Sequence, residues 1–277
     1  MKTSVSLFLT DILPHKRKFL SKIIKSHMFT SGSPVTELAA LKKSGIDGIE
    51  LFLPLYEKYS VQDILELKHV LSTSELPILS VHQQLRFFTT TKMPEIMQLF
   101  EVAEMLSAKV IVLHMSSAGR QVFDKKYIAA IHTLQEKYGI KVGFENREKF
   151  IGSLSQPYGW DEDKFSTAMN DSNFYITLDT THLAHSGGDI VSFFRRNKDR
   201  IVNIHISDYK YHLLNSSLRP MRYKHMALGK GQLPIEEFLR TLQEEHYKGL
   251  VTMEIHSDLA GICESARIIN SIAKKSN

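Results

Sequence analysis

The chain reads as an α/β protein, a single-domain (β/α)8 barrel. Eight short β-rich runs alternate with helical patterns from one end to the other. Several runs are almost continuously apolar, as parallel strands buried on both faces must be. The 277 residues suit a fold that takes about 250 residues as one unit. No glycine-rich dinucleotide fingerprint follows any strand and no P-loop is present, so the signatures of an open doubly wound sheet are missing.

The predicted strands are SVSLFL (4–9), GIELFL (48–53), PILSVH (77–82), KVIVLH (109–114), KVGFE (141–145), FYITLD (174–179), IVNIHI (201–206) and LVTMEI (250–255). The helices between them have readable ends. Ser33-Pro34 starts one and Gly45 stops it. Ser60 with Asp63 resembles a capping box. Asp124 caps a helix that stops at Gly139, and Pro234 opens one that runs to Gly249. The long connections, 10–33 and 207–233, follow the first and seventh strands. Both are therefore expected on the C-terminal face, where barrel active sites sit. The first contains HKRKFLSKIIKSH, a basic stretch expected to form a short helix of its own.

Composition narrows the class. Hydrophobic residues make up 43% and charged residues 23%, an ordinary globular balance. The one cysteine, Cys263, excludes an intramolecular disulfide and fits a reducing cytoplasm. The N-terminus lacks a small-residue cleavage site and reads as the first strand. No apolar run approaches the ~20 residues of a membrane span. The net charge of +5 leans toward anionic partners. Basic residues gather at His15 to Lys18, Lys22 and Lys25, and again at Lys210, Arg219, Arg222, Lys224 and Lys230. A solvated surface and a phosphate-bearing ligand both account for such clusters.

The strand ends carry the chemistry. His82, His114, Glu145 and Asp179 end strands three to six, His205 lies in strand seven and Glu254 in strand eight. The first four are spaced by about thirty residues, one strand-helix unit, so the groups recur at one height of the barrel. A lone histidine or carboxylate in a strand is ordinarily a hydrogen-bonded core residue. Six in register are harder to explain that way. Burying several carboxylates together is costly unless protons or cations compensate them. Apart from Arg147, the strands offer no basic residue near Glu145, Asp179 or Glu254. A divalent cation is the economical compensator, and mixed carboxylate and imidazole ligation suits Mn²⁺, Zn²⁺, Fe²⁺ or Co²⁺.

The motifs GIDGIEL, VLH, FEN, LDTTH, NIHISD, HMALGKG and MEIH occur in this order from about residue 45 to 255. Together they resemble the xylose isomerase-like TIM barrel superfamily, which holds sugar phosphate isomerases and epimerases and also apurinic endonuclease IV. In the epimerase branch the resemblance implies one catalytic metal on Glu145, Asp179, His205 and Glu254. Glu145 and Glu254 are also its acid and base, and His182 contacts substrate. His225 touches substrate or binds a further metal. In the endonuclease branch three zinc ions are implied, with His82, His114 and Glu145 forming a second metal site bridged to the first. The third site needs His182, an aspartate and a histidine. His225 supplies the histidine, but Tyr223 stands at the aspartate position, a poor zinc ligand.

These observations favour a metal-dependent sugar or sugar-phosphate isomerase or epimerase acting on a small molecule. The alternatives are a metal-dependent phosphodiesterase on abasic DNA, for which nucleic acid is the partner, and a non-catalytic binding barrel without metal. Other polar residues have plainer expectations. Glu50 reads as a structural barrel-interior carboxylate, and Arg147 as a ligand of substrate phosphate or a partner of Glu148. Asp208 is expected to orient His205 or to cap the long loop. Trp160 is expected in packing, His256 beside Glu254 or in solvent, and His185 in a loop.

Overall fold

Eight parallel strands pair in sequence order, β1 to β8, and β1 pairs with β8 to close the barrel. The computed structural model describes residues 1–13, 34–53, 60–83, 92–115, 123–149, 156, 158–211 and 224–274. The stretch HKRKFLSKIIKSH lies outside the described residues, as do Ser33, Arg219, Arg222 and Tyr223. The strands are β1 Lys2–Phe8, β2 Gly48–Phe52, β3 Ile78–His82, β4 Val110–His114, β5 Lys141–Glu145, β6 Tyr175–Asp179, β7 Ile201–Ile206 and β8 Leu250–Met253. The helices are α1 Leu9–Ile12, α2 Pro34–Lys43, α3 Val61–Ser74, α4 Met93–Met105, α5 Lys125–Tyr138, α6 Glu162–Asp171, α7 Thr180–His185, α8 Ile190–Asn197, α9 Ile235–Glu244 and α10 Leu259–Lys274.

Local chemistry sets the helix ends. Ser60 Oγ accepts from Asp63 N at 3.2 Å, and Asp63 Oδ2 accepts from Ser60 N at 2.7 Å, so α3 carries the capping box. Asp124 caps α5, and Gly139 ends it at φ 62, a left-handed backbone that glycine adopts without strain. The ends of β2, β3, β4 and β6 shift by one residue, and three elements shift further. Strand β1 is Lys2–Phe8, because Leu9 already belongs to α1. Strand β8 ends at Met253, which leaves Glu254 just beyond the ladder. Helix α9 stops at Glu244 rather than running to Gly249. There His246 turns left-handed at φ 52 and Tyr247 N donates back to Leu242 O at 2.9 Å, which closes the helix end.

The pleat sorts the strand residues into two layers. Leu51, Val81, Ile111, Leu113, Phe144, Leu178, Ile204 and Val251 belong to one large apolar core that also takes in helix residues such as Phe165, Phe193 and Phe238. Burying each such side chain stabilises by about 1.5–3 kcal/mol. Residues of the opposite parity share a face with the strand-end groups and fill the barrel interior. Part of that interior is polar. Ser4 Oγ and Thr252 Oγ1 are hydrogen-bonded at 2.8 Å. Thr252 Oγ1 donates to Asn203 Oδ1 at 2.8 Å, and Asn203 Nδ2 donates to Glu50 Oε2 at 2.9 Å. Ser80 Oγ donates to the same oxygen at 2.8 Å. This chain of side chains crosses the barrel and fixes Glu50.

Candidate metal centre

His114 is in register with Glu145, and Asp179 with His205. The register therefore brings the strand-end groups to one rim. Ligand atoms of His82, Glu145, His205 and Glu254 lie within 4.8 Å of one another. Those of Asp179, His182 and His225 form a second group of the same tightness. Asp179 thus stands beside His182 and His225, and it is also close enough to Glu145 and Glu254, with which the sequence set it, to feel their charge. The cause is local: Asp179 Oδ1 accepts from His182 N at 2.7 Å and caps α7, which turns Oδ2 toward that side. His182 Nδ1, at 3.5 Å from Glu145 Oε1 and 3.8 Å from Asp179 Oδ2, links the two groups.

His205 is the hub. Its Nδ1 is hydrogen-bonded to Glu145 Oε1 at 3.1 Å and lies 2.7 Å from Glu254 Oε2. Its Nε2 lies 3.0 Å from Glu50 Oε1. That last pair is not aligned for a hydrogen bond, so attraction between opposite charges holds it. Burial alone would lower the basicity of His205, but Glu50, Glu254 and Glu145 raise it well above the ordinary value. Burial likewise pushes Glu50, Glu145 and Glu254 upward, and the surrounding histidines overcome it and hold all three below the usual carboxylate range. Asp179 is the exception: burial, with Glu145 and Glu254 nearby, leaves it raised despite His182 and His225.

Each outer histidine is held by specific ring-nitrogen contacts. His82 Nδ1 donates to Gln83 O at 2.7 Å, which leaves Nε2 facing Glu145 at 3.8 Å. His114 Nε2 is 2.8 Å from Glu145 Oε2, and burial depresses its pKa to about 4, so it is neutral at physiological pH. His182 Nδ1 donates to Asn146 O at 3.0 Å. His225 is buried at φ 50, a left-handed backbone that a β-carbon disfavours. The returning main chain holds it there, since His256 N donates to His225 O at 2.6 Å.

A cation fits these residues. Glu145 Oε2, Asp179 Oδ2 and Glu254 Oε2 come from the ends of β5, β6 and β8, and all three are buried without an aligned hydrogen-bond partner. Such oxygens are costly unless a positive charge meets them. Imidazole nitrogens of His82 and His205 stand beside them, a donor set suited to first-row divalent metals.

Several supporting residues were not legible as such in the sequence. Glu50 fits its expected structural place, and its specific work is to face His205 Nε2 from behind. Asn146 clamps β5 to β6: its Nδ2 donates to Asp179 O at 3.1 Å, and its Oδ1 accepts from Asp179 N at 2.7 Å. The only hint was its place in FEN. Asp208 does not orient His205. It takes the loop-capping alternative, accepting from the backbone of Tyr209, Gly229, Gly231 and Leu233 at 2.8–3.1 Å. Glu148 pairs with Lys224, so Arg147 is not its partner. Trp160 precedes the Asp161 cap of α6, with Lys149 Nζ 4.6 Å above its ring. His256 is exposed and rests against the His225 ring. His185 lies in α7 rather than a loop, and its Nδ1 is hydrogen-bonded to Tyr209 OH at 3.0 Å.

Residues 38–272 match the family model described as xylose isomerase-like TIM barrel. An uncharacterised protein of Methanocaldococcus jannaschii is 25% identical over 74% of this chain and 68% of its own length. An inosose dehydratase of Clostridium perfringens is 22% identical over 72% of this chain and 76% of its own. Among solved structures, a D-tagatose 3-epimerase-like protein superposes with a TM-score of 0.65 at 19% identity, covering 99% of this chain and 98% of that one. The IOLI protein, solved with a zinc atom, gives 0.65 at 17% identity and covers 99% of both chains. These structural likenesses concern the fold.

Proposed function

Because the chain belongs to the xylose isomerase-like TIM barrel family, we propose that it is a metal-dependent isomerase or epimerase of a small sugar or sugar phosphate. One observation carries the reading: Glu145, at the end of β5, and Glu254, just past β8, converge on His205 Nδ1 of β7 at 3.1 Å and 2.7 Å. Glu145, Asp179, His205 and Glu254 would hold the metal, which is Mn, Zn, Co or Fe. The metal when bound supplies Lewis-acid polarisation of a substrate carbonyl.

The protein's own groups perform the proton transfers. Both glutamates are ionised at neutral pH, since their pKa values are held down. The Glu254 side chain is 21% exposed and Glu145 only 1%, so Glu254 is the base that substrate reaches first. It takes the proton from the carbon beside the carbonyl, and the C–H electron pair becomes the enediolate double bond. Returning a proton to the neighbouring carbon isomerises the sugar. Returning one to the other face of the same carbon epimerises it: Glu145 gives that proton after first taking one up from solvent, and Glu254 releases to solvent the one it removed. His182 and His225 contact substrate hydroxyls. The inosose dehydratase relatives fit the same opening step, since a dehydration beside a carbonyl also starts by removing that proton.

Incubating the metal-loaded protein in D₂O with a panel of ketoses and ketose phosphates is expected to place deuterium beside the carbonyl of at least one. Nuclear magnetic resonance reads the incorporation. Loss of a hydroxyl in place of a new epimer would instead assign a dehydratase. No exchange across the panel would remove the proposal.

The phosphodiesterase reading keeps one specific support, the placement of His82 and His114 against Glu145 at 3.8 Å and 2.8 Å. If these three residues hold a second metal, the double variant His82→Ala/His114→Ala loses one metal equivalent by elemental analysis. A single-metal epimerase site keeps its count. Cleavage of abasic duplex DNA, without deuterium exchange on ketoses, would favour the nuclease. Its affinity for DNA would then fall steeply with salt.

A further inference from the structure

Arg147 is buried to 5% exposure two residues beyond Glu145, and the mechanism above leaves it unused. Its main chain is pinned, since Arg147 N donates to Gly159 O at 3.0 Å. Its guanidinium has no hydrogen bond and no ion pair among the described residues, and Nε is fully buried without a partner. A guanidinium cannot shed its charge by losing a proton. Leaving such a charge buried and unpaired is expensive.

The nearby carboxylates are already committed. Glu148, the next residue along, is paired with Lys224. Glu145 is surrounded by His82, His114, His182 and His205. Arg147 follows the C-terminal end of β5, so its main chain lies at the same end of the barrel as the strand-end groups. It lies two residues past the end of β5, which an extended chain covers in about 6–7 Å. A carbonyl at the glutamates and a terminal substituent three or four carbons away are separated by a similar length.

We propose that Arg147 receives an anionic group, a carboxylate or a phosphate, at the far end of the substrate, so that the substrate is a charged keto-polyol rather than a neutral ketose. The planar fork of the guanidinium matches the two oxygens of either group. The keto-polyol part rests on the function proposed above, and the anion-receiving role of Arg147 does not.

Calorimetric titration of the metal-loaded, full-length protein tests it. Inorganic phosphate and malonate are the probes for the two anion classes, and D-ribulose is the neutral control. At least one anion is expected to bind, and Arg147→Gln to weaken it by about ten- to a hundredfold while leaving D-ribulose binding unchanged. Arg147→Lys, which keeps the charge but not the fork, is expected to recover part of the loss. Tighter binding of phosphate assigns a sugar phosphate, and tighter binding of malonate assigns a sugar acid. If neither anion binds, or if Arg147→Gln binds them as well as the natural protein, the proposal is overturned. Should Arg147→Gln not fold, Arg147→Lys carries the comparison, and an unchanged affinity there for both anions overturns it equally. Arg147-dependent anion binding with no deuterium exchange on any ketose would sink the isomerase reading and leave this one standing.

Discussion

Replacing Glu254 by glutamine is expected to lower deuterium exchange beside the substrate carbonyl by at least about 10²–10⁴-fold, the usual contribution of a positioned base. The change is nearly isosteric, so the barrel should fold as before. It removes one of the two carboxylate charges beside His205 Nδ1, where Glu254 Oε2 lies at 2.7 Å. It also removes a proposed metal donor, so bound metal must be counted on the same sample. Lost exchange with metal retained isolates the base. Lost exchange together with lost metal assigns Glu254 a ligand role as well. Exchange at the natural rate would exclude Glu254 from the chemistry.

Glu50→Gln is expected to cost about 3–5 kcal/mol of stability in the metal-free protein, the penalty for removing one partner of a buried charge pair. Glu50 is fully buried, with Oε2 accepting from Ser80 and Asn203 and Oε1 facing His205 Nε2 at 3.0 Å. The glutamine amide can still meet Ser80 and Asn203, but it cannot neutralise His205. The pH dependence follows from the two shifts. Glu50 is lowered, so its contribution is present above 4.5 and is lost as pH falls through its folded value. His205 is raised, so its contribution is full below 6.5 and is lost only as pH climbs through its higher folded value. The advantage of the natural protein over Glu50→Gln should therefore be largest from just above 4.5 to beyond 6.5, as chemical denaturation at several pH values will show. Because Glu50 also fixes the imidazole behind Nδ1, the proposed metal donor, metal affinity should drop by about 10–100-fold. A flat pH profile, or unchanged affinity, would mean that Glu50 only fills space.

The family comparison and the fold agree with the strand-helix alternation, and no described helix is long and apolar enough to cross a membrane. The edges that moved did so through local backbone turns that the strand and helix periods do not mark. Asp63 and Gly139 act on their own helices, so their signals were readable locally. The end of α9 depends on His246 and on Tyr247, whose OH donates to Leu250 O at 3.2 Å, and a helical pattern running on toward Gly249 concealed it.

The sequence by itself determined that eight strand-helix units close around a rim bearing His82, His114, Glu145, Asp179, His205 and Glu254. It could do so because strand period, helix caps and unit length are local properties of consecutive residues. That Asp179 stands beside His182 and His225 was decided only in three dimensions, because the α7 cap takes one of its oxygens and leaves the other facing them. The same holds for Glu50, 153 residues from Asn203 yet hydrogen-bonded to it. It holds again for Arg147, where Lys224, 76 residues from Glu148, takes the carboxylate that adjacency would have given the arginine. Charge pairing inside a closed barrel depends on which strands end side by side, and no local pattern encodes that distance.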